Sequence, residues 1–162
     1  MIDLTRMLTF VFERYEKNKD FDGRNKIFRY AILAEAKLNN DLASIILREK
    51  IENVVKNCPD LFKEFSITMS EVLLTYGVPA CVVFDESSHP KEKNISELSS
   101  SKSRLSQFEM RSASELFEFY NRKCQLVKSL YNSSSLNLKS ISLELRIRNI
   151  EYSTRSIIKK LE

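Results

Sequence analysis

Apolar residues recur every three or four positions through most of this chain, which is the spacing of one face of an α-helix. The spacing predicts a first helix over about Asp3–Tyr15. It predicts a second over Arg24–Asn57, where no Gly or Pro interrupts 34 residues. Such a helix is roughly 50 Å long, so we expect it to bend or to pack against equally long partners. The polar segment Asn18–Asn25 between them predicts a turn.

The elements that follow are shorter. Pro59 suits the first turn of a new helix, and Gly77 is placed to end that helix after about Tyr76. The run Val78–Phe84 is rich in β-branched residues and is compatible with a strand, but its only conceivable partner is Ser140–Ile147. The sequence therefore leaves the structure of this run open.

The middle of the chain joins a polar segment to a strong helical pattern. Asp85–Ser103 holds seven serines and few apolar residues, which predicts a long, exposed, Ser-rich loop near 85–103. Arg104–Tyr131 then keeps a helical spacing. Its predicted inward positions are Leu105, Phe108, Ser112, Leu116, Phe119, Lys123, Leu126 or Val127, and Leu130.

The last segment carries two competing patterns. The residues Ile141, Leu143, Leu145 and Ile147 alternate as in a strand. A helical spacing extends further and joins eight positions: Leu136, Ser140, Leu143, Ile147, Ile150, Thr154, Ile157 and Leu161. The longer pattern favours a helix, and the short connection before it predicts that this helix runs antiparallel to its predecessor.

A helix here has a second apolar side, about 180° from the first. Cationic side chains lie beside that second side, and two interpretations stay open. The helix is either enclosed by neighbours, with its cations reaching out to water, or it presents an exposed surface to a partner. The candidate partner-binding residues are Ile141, Leu145, Arg148, Tyr152, Arg155 and Lys159.

These patterns together predict an all-α protein, an antiparallel helical bundle of about five helices in a single domain over residues 1–162. The small number of glycines and prolines, 2 and 3, supports this because tight turns and hairpins depend on both.

Charge and cysteine content indicate the compartment and the classes of partner. The longest apolar stretch, Phe65–Phe84, is interrupted by Glu71 and by the Gly77–Pro79 break, so we expect no membrane span. We also expect no signal peptide, and the three scattered cysteines fit a reducing compartment such as the cytoplasm. Residues from Glu86 onward carry 14 Lys and Arg against 9 Asp and Glu, which permits an anionic partner.

The residue sets of common catalytic and cofactor sites are missing from the sequence. Two distant glycines cannot form a phosphate-binding loop, and one His with three scattered cysteines cannot form a structural zinc site. His89 lies in the Ser-rich segment, where we expect a solvated side chain. We therefore expect no cofactor, no metal and no enzymatic activity, although carboxylates within apolar stripes keep a small helical enzyme open as the weakest alternative. Those carboxylates are Glu35, Asp41 and Glu71.

One segment resembles a calcium-binding loop in part. Asn18, Asp20, Asp22 and Gly23 match the spacing of such a loop, but Arg29 stands where a bidentate Glu is needed. A polar turn in which Asp22 or Asn25 caps the next helix is the better interpretation.

The sequence thus predicts a non-catalytic binding or regulatory protein that acts through a helical face, with a protein partner or as a homo-oligomer. The alternative is a nucleic-acid-binding protein that uses the basic C-terminal helix. Its candidate residues are Arg122, Lys123, Lys128, Arg146, Arg148, Tyr152, Arg155, Lys159 and Lys160.

Overall fold

A computed structural model describes residues 21–85, 111–133 and 143–162, together with Thr9, Glu13 and Arg14. Within these residues every regular element is helical, which confirms the predicted all-α fold class. The α-helices are α1 (Phe21–Arg48), α2 (Ile51–Asn57), α3 (Thr68–Tyr76), α4 (Ala80–Val83), α5 (Ala113–Asn132) and α6 (Leu143–Leu161). A 3₁₀-helix, Pro59–Glu64, lies between α2 and α3.

The centre of the bundle is formed by α6, which packs against both α1 and α5. The helix predicted for the last segment is confirmed over Leu143–Leu161, and its predicted positions Leu136 and Ser140 lie outside the described residues. Its inward positions are buried as the spacing predicts, from Leu143 to Ile157, and Leu161 is partly buried. Lys37 bonds Glu162, whereas Ser44 bonds Glu151, so α1 and α6 run antiparallel. None of the described helices has an apolar stretch long enough to cross a membrane.

The prediction of one uninterrupted helix over Arg24–Asn57 is wrong. Helix α1 ends at Arg48, and α2 begins after Lys50, whose φ of 63° lies outside the helical region. Ile46 and Ile51 are both buried, yet five positions place them about 140° apart on a straight helix. The break lets both side chains face the same core without a Gly or a Pro.

The predicted turn at Asn18–Asn25 is also corrected, because α1 already begins at Phe21. Asn25 lies inside the helix and is buried, and its side-chain amide donates to the carbonyl of Val82. Of the first predicted helix, the described residues Thr9, Glu13 and Arg14 are helical, and the rest lies outside the described residues.

The helix predicted from Pro59 to Tyr76 is two helices. The 3₁₀-helix ends at Glu64, and α3 starts at Thr68 after a non-helical connection. Gly77 ends α3 as predicted, with a φ of 63° that a Gly adopts without strain.

The open question over Val78–Phe84 is resolved in favour of helix, because Ala80–Val83 forms the short α4. Asn25 and Arg29, one turn apart on α1, donate hydrogen bonds to the carbonyls of Val82 and Val83. The predicted Ser-rich loop begins at the end of this region, and its residues after Asp85 lie outside the described residues.

A helix is confirmed over Ala113–Tyr131, but its predicted start at Arg104 is wrong, because Arg111 and Ser112 are not helical. Of the predicted inward positions, Leu116 and Val127 are buried, whereas several others are not. A capping box of Ser112 and Glu115 starts the helix, so Ser112 is a cap and not a core position. Phe119 is only partly buried, and Leu126 is exposed. The buried hydrophobic residues of α5 are Ala113, Leu116, Phe117, Tyr120, Cys124 and Val127. The buried face is therefore rotated from the predicted one. Aromatic residues lie on both sides of this helix, so the sequence pattern did not show which side is buried.

Candidate functional site

The predicted partner-binding residues lie on one side of α6, which we call the outer face of α6: Leu145, Arg148, Tyr152, Arg155 and Lys159. Arg148, Arg155 and Lys159 are exposed, whereas Leu145 and Tyr152 are partly buried. Tyr152 also packs against the hydrophobic core. The sixth predicted residue, Ile141, lies outside the described residues.

Arg148 is held by neighbours on its own helix. Its Nη2 and Nε atoms lie 2.7 and 2.9 Å from one carboxylate oxygen of Glu144. The hydrogen bond to Glu144, followed by one to Tyr152, raises the pKa of the Arg148 guanidinium. Because these residues are spaced four apart, they form one row along the outer face of α6.

Arg155 is held in the same way, with its Nη2 2.7 Å from a carboxylate oxygen of Glu151. Glu151 also connects α6 to α1, since its carboxylate accepts from the Ser44 hydroxyl and its backbone carbonyl accepts from the Asn40 amide. The Asn40 amide also donates to the Thr154 hydroxyl, at 3.0 Å. Glu151 thus connects one edge of the outer face of α6 to the interface between α1 and α6.

A second polar assembly lies inside the bundle, and we call it the buried polar centre: Glu35, Asn39, Ser66 and Tyr120. The Glu35 side chain is fully buried. One of its oxygens accepts from the Met69 amide at 2.8 Å and from the Ser66 hydroxyl at 2.9 Å. The other accepts from the Tyr120 hydroxyl at 3.2 Å. Glu35 therefore joins α1, α3 and α5, and caps the N-terminus of α3 from another helix.

Asn39, one turn after Glu35, completes this assembly. Its side-chain oxygen accepts from the Ser66 amide at 2.8 Å, and its nitrogen donates to the Ser66 carbonyl at 2.8 Å. Lys128 donates to the neighbouring carbonyl of Phe65 at 3.0 Å. These bonds pair the backbone groups that the gap between the 3₁₀-helix and α3 leaves without helical partners.

Burial controls the protonation of this centre. Desolvation raises the pKa of Glu35, although the hydrogen bonds from Met69, Ser66 and Tyr120 oppose the shift. Desolvation first, and then the charge of Glu35, raise the pKa of Tyr120 and that of the Cys124 thiol. A thiol of raised pKa is a poor nucleophile, so the buried Cys124 contributes to the core as an apolar residue.

A third group of charged residues lies where α5 and α6 meet. The Phe119 ring has the Arg111 guanidinium 4.7 Å and the Lys123 ammonium 5.1 Å from its centroid. Partial burial lowers the pKa of Lys123, and so do the charges of Arg146, Arg122 and Arg111, in that order. We call these four cations and the ring the Phe119 cation cluster.

The remaining sequence candidates are dispersed. Asp41 and Glu71 are exposed, and His89 lies outside the described residues. Asp22 and Gly23, two of the residues that resemble a calcium loop, are helical. Among the described residues, no group of three or more His, Cys, Asp or Glu side chains is placed to hold a metal ion.

Comparison with known proteins supplies no relative: no protein-family model matches the chain, and no curated protein or solved structure is significantly similar to it.

Sequence reasoning found some members of these assemblies and missed others. Glu35 was detectable as an acid inside an apolar stripe, and Asn39 follows it at helical spacing. Ser66 and Tyr120 gave no signal, because their roles depend on contacts across the chain. The contact between Arg111 and Phe119 was missed because the sequence placed both residues in one helix, whereas Arg111 precedes α5.

Proposed function

We propose that this protein is a non-catalytic binding protein that acts through the outer face of α6 on another protein, including a second copy of itself. The observation that carries the proposal is the ordering of this face. Glu144 and Glu151 hold Arg148 and Arg155, whose side chains are 46% and 58% exposed. Ordered arginines beside partly buried apolar side chains lose little conformational entropy when a partner binds.

The buried polar centre supports a non-catalytic role. Glu35 is a fully buried carboxylate with a raised pKa, and such a group is the usual candidate for a general acid or base. Its two oxygens accept from three donors of the protein itself, Met69, Ser66 and Tyr120. A carboxylate whose oxygens are fully hydrogen-bonded to the protein stabilises the packing of the helices.

The pairing of arginines with carboxylates on the outer face of α6 favours a protein partner over a nucleic acid at this face. Arg148 and Arg155 each have a carboxylate within 2.7 Å. A phosphate at this face would meet those acidic groups as well as the guanidinium groups. A protein surface that carries both signs of charge suits such a face better.

Size-exclusion chromatography with light scattering tests the proposal, with the Leu145→Glu variant compared with the wild type. We expect the wild type to associate as concentration rises and Leu145→Glu to stay monomeric, because a carboxylate would be buried at the interface. Leu126→Glu is the matched control, since Leu126 is 43% exposed on α5. Circular dichroism establishes that both variants remain helical.

Equal association of the two variants would exclude the outer face of α6 as the interface. A wild type that stays monomeric at every concentration would exclude the second copy as partner. Tyr152→Glu provides a second variant on the same face, and we expect it to behave as Leu145→Glu does.

A further inference from the structure

The charges on the exposed side of α6 change sign from one end of the helix to the other. Glu144 lies in the first turn, Arg148 follows one turn later, and Arg155 follows two turns after that. Lys159 and Lys160 are the basic residues of the last turn. The exposed side therefore begins with an acid and ends with cations, over about 22 Å between residues 144 and 159.

The two charged groups farthest from each other in this row, Glu144 and Arg155, retain room for a partner. Their side chains are 61% and 58% exposed. Both hydrogen bonds from Arg148 go to Oε1 of Glu144, so Arg148 does not use the second carboxylate oxygen. Arg155 contacts Glu151 through Nη2, and a guanidinium carries further N–H donors. A partner can therefore bind both groups while the bonds within the helix remain.

This order of charges is complementary to its own reverse. In an antiparallel pair of α6 helices with two-fold symmetry, Glu144 can face Arg155 of the second copy, and the symmetry repeats the same contact at the other end. A parallel pair in register would instead place Glu144 against Glu144 and Arg155 against Arg155. A second copy of the chain thus supplies the complementary charge only when it runs in the opposite direction.

We propose that the outer face of α6 binds the same face of a second copy, with the two helices antiparallel and Glu144 of each copy paired with Arg155 of the other. The inference rests on the proposed function, and it specifies both the partner and its orientation. Electrostatic complementarity fixes the register of such an interface more than it adds affinity.

The same register brings the middle of the two faces together. Leu145, Arg148, Tyr152 and Arg155 are spaced three and four apart, which is the spacing of a packing seam between two helices. Arg148 then lies near the Tyr152 ring of the second copy, where a cation–π contact is favourable. One helix face of this length is at the lower end of protein interface sizes, so we expect a weak dimer, with a Kd of about 10–100 µM.

Charge reversal followed by rescue tests the pairing, with association measured by sedimentation velocity over a range of concentrations. Glu144→Arg places two Arg–Arg contacts in its own dimer, and Arg155→Glu places two Glu–Glu contacts in its own. We expect each variant alone to associate at least about tenfold more weakly than the wild type. In an equimolar mixture of the two, opposite charges meet at both contacts, and we expect an affinity within about threefold of the wild type.

The matched controls reverse charges of the same sign on the exposed side of α2. Glu52→Arg and Lys56→Glu change the net charge as the two α6 variants do, and both residues are exposed. We expect each to associate as the wild type does. Weakening by Lys56→Glu equal to that by Arg155→Glu would overturn the proposal, because net charge alone would then explain the loss.

Rescue separates a lost contact from a lost fold, since a misfolded variant gains nothing from mixing with another. A mixture that associates no better than its components would overturn the antiparallel pairing, and so would undiminished association of either variant alone. If Leu145→Glu still abolished association in those cases, the proposed function would stand without this register. A wild type that stays monomeric up to about 1 mM would overturn the inference and leave a different protein as the partner of this face.

Discussion

The buried polar centre and the outer face of α6 share one spacing of polar residues, but those residues bond to different parts of the structure. In each, two polar residues stand four positions apart on one helix: Glu35 and Asn39 inside, Glu144 and Arg148 outside. The inner pair bonds other segments of the chain, namely Ser66, Met69 and Tyr120. Among the described residues, the outer pair bonds within its own helix.

Burial explains the difference in consequence. A buried donor or acceptor that loses its partner has no water to replace it, so each broken bond costs about 1–3 kcal/mol. An exposed pair exchanges its partner for water at little cost, about 0.5 kcal/mol or less. The inner pair therefore determines how helices are arranged, and the outer pair affects the stability of one helix and the shape of its surface.

The largest effect is expected from Glu35→Ala. The substitution leaves the Met69 amide and the Ser66 and Tyr120 hydroxyls without their acceptor and opens a cavity. We expect the free energy of unfolding to fall by about 3–5 kcal/mol, measured by urea denaturation.

Asp41→Ala is the control for this variant, because it removes an exposed carboxylate from the same helix. We expect its stability to remain within about 0.5 kcal/mol of the wild type. Similar stabilities for the two variants would show that burial does not distinguish these carboxylates.

The next largest effect is the pH dependence of stability, which depends on the ionisation of Glu35. Because its pKa is raised in the folded protein above the ordinary value of 4.5, the folded state holds this proton more tightly than the unfolded state. The resulting stabilisation is complete below pH 4.5 and is lost as pH rises through the folded-state pKa. Glu35→Gln cannot ionise there, so we expect the wild type to lose stability relative to Glu35→Gln as pH rises.

Denaturation of the two proteins at several pH values between about 4 and 8 measures this difference. A constant difference in stability across that range would mean that Glu35 has the same pKa in the folded and unfolded states. A difference that grows in favour of the wild type would mean that the folded state lowers the pKa of Glu35.

The smallest effect is expected on the outer face of α6. A double-mutant cycle of Glu144→Gln and Arg148→Gln should give a coupling free energy below about 0.5 kcal/mol, because both side chains are well exposed. The coupling should fall further in high salt. A coupling comparable with the effect of Glu35→Ala would show that the outer pair is as important to the fold as the inner one.

The sequence predicted what depends on repeated local spacing. The last helix is an example, because its inward positions recur over many turns and bury as expected. The end of α3 at Gly77 is another, since a Gly adopts a positive φ without strain.

The features that the sequence did not predict depend on contacts between distant segments of the chain. Nothing local marks the break at Lys50, which exists because Ile46 and Ile51 must reach one core. The helical state of Ala80–Val83 depends on Asn25 and Arg29, more than 50 residues earlier, which bond its carbonyls. Of the Phe119 cation cluster, the sequence placed Phe119 and Lys123 on a predicted inward face and Arg122 and Arg146 among basic candidates, and it missed Arg111.

The connection between α1 and α6 has a consequence for how the chain acquires its structure. Asn40 bonds Glu151 and Thr154, which follow it by 111 and 114 residues. On a ribosome, α1 is therefore complete long before its main partner has been synthesised, and contacts between distant segments form slowly. Until then the part of α1 that packs against α6 is exposed to solvent, which favours aggregation of newly made chains.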